Sequence, residues 1–137
     1  MRIAVLLNSA GGRLSREPGL VDQTRAAFTA AGVDAEIETL AAGKLVDRAD
    51  ELIAAGGLDA LVVGGGDGTL GAVAALLAGT GLPLGVLPFG TLNHFARDAG
   101  IPLDVKGAVD VVAAGHAGTV DLAEVNGHVF VNNSSVG

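Results

Sequence analysis

Near the middle of the chain, Gly64-Gly-Gly-Asp-Gly-Thr69 sets four glycines around a carboxylate and a hydroxyl. From Ala60 to Ala96, Asp67 is the only charged side chain. Consecutive glycines permit positive φ angles and let backbone N–H groups approach an anion, and a following helix adds the positive end of its dipole. A carboxylate among phosphates repels them unless a divalent cation lies between. The segment therefore reads as a nucleotide phosphate site in which Asp67 meets Mg2+, with Thr69 capping the helix or donating to a phosphate oxygen. The simpler alternative is a tight turn with Asp67 as helix cap, although three glycines in a row exceed what a turn needs. Gly66-Asp-Gly-Thr-Leu-Gly71 also fits G-x-G-x-x-G, the dinucleotide fingerprint. That pattern wants an acidic residue about 20 positions on, where this chain has Val86-Leu-Pro-Phe-Gly90. No G-x-x-x-x-G-K-[ST] segment occurs, which excludes a P-loop enzyme.

Two further polar segments offer donors and acceptors. Asn8-Ser-Ala-Gly-Gly12 follows an apolar run, and Pro88-Phe-Gly-Thr-Leu-Asn-His-Phe-Ala-Arg97 follows another. In the second, Pro88 stops a strand, Gly90 frees the backbone, Thr91 can cap a short helix, and Asn93 can both donate and accept. Each segment alone reads equally as a structural cap. Together, at one edge of a parallel sheet, they form one crevice.

The elements that must position them follow from periodicity. Ile3 to Leu7, Ala60 to Val63 and Leu84 to Leu87 are continuous apolar runs, the pattern of strands covered on both faces. Val33 to Leu40 alternates apolar with acidic residues, as a strand with one exposed face does. Helical spacing links Leu20, Thr24, Phe28 and Ala31 from Pro18 to Gly32, then Leu45, Ala49, Leu52 and Ile53 up to Gly56-Gly57, then Leu70, Val73, Ala74 and Leu77. A short helix is expected from about Leu92 to Ala99, and another from Val105 to Ala114 with Asp104 as N-cap. Asn126-Gly127 joins Thr119–Val125 to His128–Val131 as a hairpin. The expected fold is α/β, an open and mainly parallel sheet with helices on both faces that ends in a β-hairpin.

Composition narrows the classes. The chain has 137 residues, the size of one domain, and is 50 % hydrophobic but only 3 % aromatic. That apolar content with 17 % charged residues excludes disorder. With no Cys there is neither a disulfide nor a thiolate site. Eight basic against fifteen acidic residues leave a net charge of −7, the wrong sign for a nucleic-acid binder. No run approaches the 18 or more apolar residues of a membrane span, and Ile3 to Leu7 is too short for a signal peptide. No pair of histidines has helical metal-ligand spacing; His116 and His128 read as surface residues, and Phe28 and Phe95 as core.

The GGGDGT turn with the later P-x-G-T-x-N-x-F-A-R segment resembles the diacylglycerol kinase-like lipid kinases, relatives of sphingosine and ceramide kinases. The resemblance runs along the whole chain. It implies a two-domain enzyme, with an α/β nucleotide domain related to NAD kinase and phosphofructokinase and a β-rich domain that holds the lipid. Residues 1–117 match the first, and residues 118–137 the opening strands of a truncated second. ATP and Mg2+ are the implied cofactors, and a lipid hydroxyl the implied acceptor. Gly65, Gly66, Asp67, Gly68 and Thr69, continued by Leu70 and Gly71, are implied to hold the ATP phosphates, with Asp67 as the catalytic and metal-linked carboxylate. Asn8, Ser9, Ala10, Gly11 and Gly12 would flank the nucleotide, Thr39 would contact it, and Gly90, Thr91 and Asn93 would face it from the other side. Asp121 resembles a second carboxylate of the metal network.

Three departures stand out. His94 stands where many members have Asp, Ser9 stands where they have Pro, and the general base of the bacterial members is expected in the lipid-binding domain rather than in residues 1–137. An NAD kinase-like enzyme and a non-catalytic nucleotide-binding module are the alternatives. The resemblance further implies a cytoplasmic protein that meets the inner membrane face peripherally through the missing domain. A homodimer through the C-terminal hairpin is expected from its apolar edge.

Overall fold

The computed structural model describes residues 2–10, 12–90, 93–98, 100–114, 120–125 and 128–133, with the backbone alone for residue 95 and from residue 120 onward. Six strands form one sheet: β1 (Ile3–Asn8), β2 (Ala35–Leu40), β3 (Ala60–Gly65), β4 (Leu84–Pro88), β5 (Val120–Val125) and β6 (His128–Asn133). Their order is β2-β1-β3-β4-β5-β6. The first four are parallel, in a register that sets Leu7 beside Gly64 and Gly65 beside Pro88. β5 runs antiparallel to β4 through the Leu84–Val120 pair, and β6 antiparallel to β5. The expected mainly parallel α/β sheet and its closing hairpin are both present, while Asn126 and Gly127 lie outside the described residues.

Helices cover both faces. α2 (Leu20–Ala30) packs with α6 (Val105–Ala113), and α3 (Ala42–Ala55) with α4 (Asp67–Leu77); α1 (Gly12–Arg16) and α5 (His94–Asp98) are short. Because β1, β3 and β4 lie between two helical layers, every residue in them is buried. The helices turn the apolar stripe read from the sequence inward: Leu20, Thr24 and Phe28 on α2, Leu45, Ala49 and Leu52 on α3, and Leu70, Val73, Ala74 and Leu77 on α4. Thr24 is buried without penalty, since its hydroxyl donates to Leu20 O at 2.7 Å. Asp104 caps α6 as expected, accepting from Gly107 N at 2.8 Å.

Several boundaries shift from the sequence reading, and one helix is new. α2 begins at Leu20 rather than Pro18, and the loop after β1 passes into α1, which the periodicity did not show. α1 is one turn with a single buried side chain, Leu14, too little to leave a periodic signature.

The strand order reverses between β1 and β3, since β1 is followed by a neighbour on one side and β3 by a neighbour on the other. At such a switch point the loops leaving the two strands diverge and open a crevice at the carboxyl ends. The loop after β1 and the glycine turn after β3 are those two loops.

Candidate functional site

The crevice is built by five segments that bond to one another. Asn8 ends β1 and is nearly buried, at 9 % exposure. Its Oδ1 accepts from Ala10 N at 3.0 Å and its Nδ2 donates to Thr69 Oγ1 at 3.3 Å, which ties the first loop to α4. Ser9 N donates to Leu40 O at 2.8 Å, so the same loop is fixed to the end of β2, where Thr39 is exposed. Arg13 N donates to Phe89 O at 2.9 Å, joining α1 to the end of β4.

The glycine turn meets the loop after β4 backbone to backbone. A Cβ on Gly90 would collide with Gly66 Cα and lie 3.0 Å from Gly66 N. Asn93 sets the shape of that loop: it takes φ +57°, its Oδ1 accepts from Gly90 N at 2.8 Å, and its Nδ2 donates to Gly90 O at 3.1 Å. Asx side chains reach αL more readily than most because they bond locally. The carboxamides of Asn8 and Asn93 thus each donate one bond and accept one bond within the protein.

Asp67 opens α4, yet it does not cap its own helix. Its Oδ2 accepts from His94 N at 3.0 Å, so the carboxylate caps α5. The N-cap of α4 is Gly66, which makes no side-chain cap. Among the described residues, no side chain of the N-cap takes up the N–H groups that open α4, the arrangement that favours an anion. The positive φ angles anticipated for the turn are not found, since Gly64, Gly65, Gly66 and Gly68 all lie outside the left-handed region. Crowding explains part of the run: a Cβ on Gly64 would come 2.5 Å from Leu7 Cδ2 and 2.8 Å from Phe89 Cδ2. Gly68 is different. It is exposed, and nothing lies within 4 Å of where its Cβ would be.

Of the residues singled out in the sequence, the structure gathers Asn8, Ser9, Ala10, Gly12, Gly65, Gly66, Asp67, Gly68, Thr69, Gly90 and Asn93 at this edge, with Thr39 beside them on β2. Leu70 is buried in the core face of α4 and Gly71 follows it. Gly11 and Thr91 lie outside the described residues. Asp121 follows Val120, which pairs with Leu84 at the amino end of β4. That register does not carry Asp121 toward the carboxyl edge, and its side chain lies outside the description.

Among the described residues, no group of three or more His, Cys, Asp or Glu could hold a metal ion. A single carboxylate beside substrate phosphates is nonetheless a common magnesium donor set, because that ion keeps several waters. The residues fit an ion that arrives with a nucleotide, and do not form a protein-only cage.

Sequence reasoning passed over Phe89 and Arg13. Phe89 is 1 % exposed and lies beneath Arg13, whose guanidinium carbon is 5.8 Å from the ring centroid. Arg13 Nε also donates to Glu17 Oε2 at 2.9 Å, and this bond holds the Glu17 carboxyl below its ordinary range. The available signal was position, a cation directly after the glycines of the first loop.

Comparison with known proteins decides the family. The diacylglycerol kinase catalytic domain model matches residues 2–125. The chain belongs to that family. A Pseudomonas fluorescens protein named "Probable lipid kinase YegS-like" is 40 % identical over 130 residues, covering 90 % of this chain and 43 % of the relative. A Staphylococcus aureus diacylglycerol kinase is 42 % identical over 81 residues, covering 58 % of this chain and 26 % of the relative. The crystal structure of a diacylglycerol kinase from Bacillus anthracis str. Sterne superposes with a TM-score of 0.68 at 25 % identity, covering 94 % of this chain and 45 % of that one. The chain spans less than half the length of each of these relatives.

Proposed function

We propose that this chain is the nucleotide-binding part of an ATP- and Mg2+-dependent lipid kinase that moves the γ-phosphoryl group of ATP to a lipid hydroxyl. The observation that carries the reading is α4 itself, whose N-terminus opens at the sheet's switch point with no side-chain cap and with Asp67 in its first turn. Family membership and the lipid kinase names of the relatives support the reaction class.

In this reading the first N–H groups of α4 bind phosphate oxygens, and the bare face of Gly68 lets them approach. Thr69 accepts from Asn8 and keeps its own hydroxyl proton, which it donates to a further oxygen. Asn8 and Asn93 hold their loops in shape through these bonds and face the nucleotide with the second N–H of each amide. Magnesium, when bound, neutralises phosphate charge beside Asp67. Asp67 carries the metal-linked role in this reading, and Asp121, next to the Leu84–Val120 pair, is the second carboxylate that the family resemblance implies. In the transfer, a bond forms between the lipid oxygen and the γ-phosphorus, and the bond to the β,γ-bridging oxygen breaks. ADP leaves, and the proton of the lipid hydroxyl passes to a general base, which the family resemblance assigns to the lipid-binding domain. With no lysine in the turn, catalysis comes from positioning and charge neutralisation. No helix among the described residues is long and apolar enough to cross a membrane.

Asp67→Asn tests the reading. It keeps the size and the acceptor for His94 N but removes the charge. In the full-length protein, lipid phosphorylation with MgATP should fall by about 100-fold or more with an unchanged unfolding transition. Near-normal turnover would reduce Asp67 to a cap for α5.

A further inference from the structure

We propose that Arg13 is a positioning residue that clasps both ends of the segment carrying α5, and so sets the geometry of the nucleotide crevice without touching the nucleotide. The proposal rests on the nucleotide reading above. At one end of the segment, Arg13 N donates to Phe89 O at 2.9 Å and the guanidinium lies over the Phe89 ring. At the other, Arg13 Nη1 donates to Leu103 O at 2.9 Å. Glu17, one turn further along, takes Nε at 2.9 Å and fixes the guanidinium in plane.

Between Phe89 and Leu103 lie Gly90, which abuts Gly66, Asn93, and His94, whose N–H is held by Asp67. The short α5 buries Ala96 but is otherwise exposed at His94, Arg97 and Asp98. One turn of helix does not hold itself in place, so its position depends on how its flanking segments are anchored. Arg13 anchors both from a single side chain and its own backbone. Its side chain is only 25 % exposed, and three guanidinium contacts already occupy it.

Two substitutions separate a clasp from a phosphate-binding charge. Arg13→Lys keeps the cation but loses the planar fork that reaches Glu17 and Leu103 at once. Arg13→Met keeps the stem and loses the charge. In the full-length protein both should raise KM for MgATP by about tenfold, with KM for the lipid unchanged. Amide exchange at residues 94–98 should accelerate in both, while α3 and α4 keep wild-type protection. Recovery of the wild-type KM by Arg13→Lys would overturn the proposal in favour of direct charge recognition. Unchanged exchange at α5 would overturn it as well. Exchange is read without any assay, so if the wild type phosphorylates no lipid, the kinase reading fails while the clasp is still judged.

Discussion

At the amino edge of the sheet, Gly56 ends α3 with φ +73°, and a Cβ there would meet nothing within 4 Å. At the carboxyl edge, Gly64, Gly66 and Gly90 have ordinary φ angles, and Gly64 and Gly90 are hemmed in by neighbouring atoms. The amino edge uses glycine for its backbone freedom, to turn from helix into strand. The carboxyl edge uses it for thinness, so that the turn after β3 can meet the loop after β4. Gly68 belongs to neither class, since its φ is ordinary and its surroundings are open. The nucleotide reading proposed above gives that bare face a use, since it lies in the first turn of α4.

Gly90→Ala attacks the carboxyl edge where it is least able to give, because the new methyl meets backbone on Gly66 rather than the end of a side chain. It should cost about 3 kcal/mol of stability, the upper part of the overpacking range. Chemical denaturation checks this, and a loss below 1 kcal/mol would mean the two loops slide apart easily. Gly56→Ala, at the amino edge, should cost ~1–2 kcal/mol through left-handed strain alone. It should leave nucleotide affinity unaltered in a titration with MgATP. Similar costs accompanied by similar losses of affinity at both edges would erase the distinction.

Much of this arrangement was legible from residue types. Strands covered on both faces must be apolar throughout, so β1, β3 and β4 announced themselves, and Asp104 and the hairpin followed from local chemistry. The turn's location and its carboxylate were equally plain. What the letters did not carry was why each glycine is there, because steric need and conformational need are written with the same residue. Nor do they say where a polar side chain spends its bonds. Asn8 and Asn93 have the chemistry of ligands, yet both bond within their own loops or to Thr69. Phe89 sits between a proline and a glycine, which reads as loop, yet it joins the core, with the Arg13 guanidinium over its ring and Gly64 against it.

Gly68→Ala sharpens the third class. Alanine in a helical turn should stabilise the protein by ~0.5–1 kcal/mol, since glycine is the costlier residue there. If phosphate oxygens approach α4 across that bare face, the same methyl should weaken MgATP binding. A variant that is more stable and binds as tightly as wild type would leave Gly68 without a functional reason.

The smallest effect concerns the ion pair beside the carboxyl edge. Glu17 accepts from Arg13, and its carboxyl is held below the ordinary range chiefly by that hydrogen bond. A carboxyl whose folded value is lowered stabilises the fold above its unfolded value, and the increment disappears as pH falls through the lowered folded value. Glu17→Gln should therefore unfold slightly earlier than wild type at pH 7, and the two melting curves should converge as the solution is acidified below pH ~4. The difference is small because the Glu17 side chain is 46 % exposed and water screens the pair. Salt sharpens the test, since raising ionic strength at pH 7 should shrink the gap in the same direction as acid. A gap that persists in acid would trace to packing of the Glu17 side chain rather than to its charge. The clasp would then lean on Leu103 and Phe89 to hold the guanidinium.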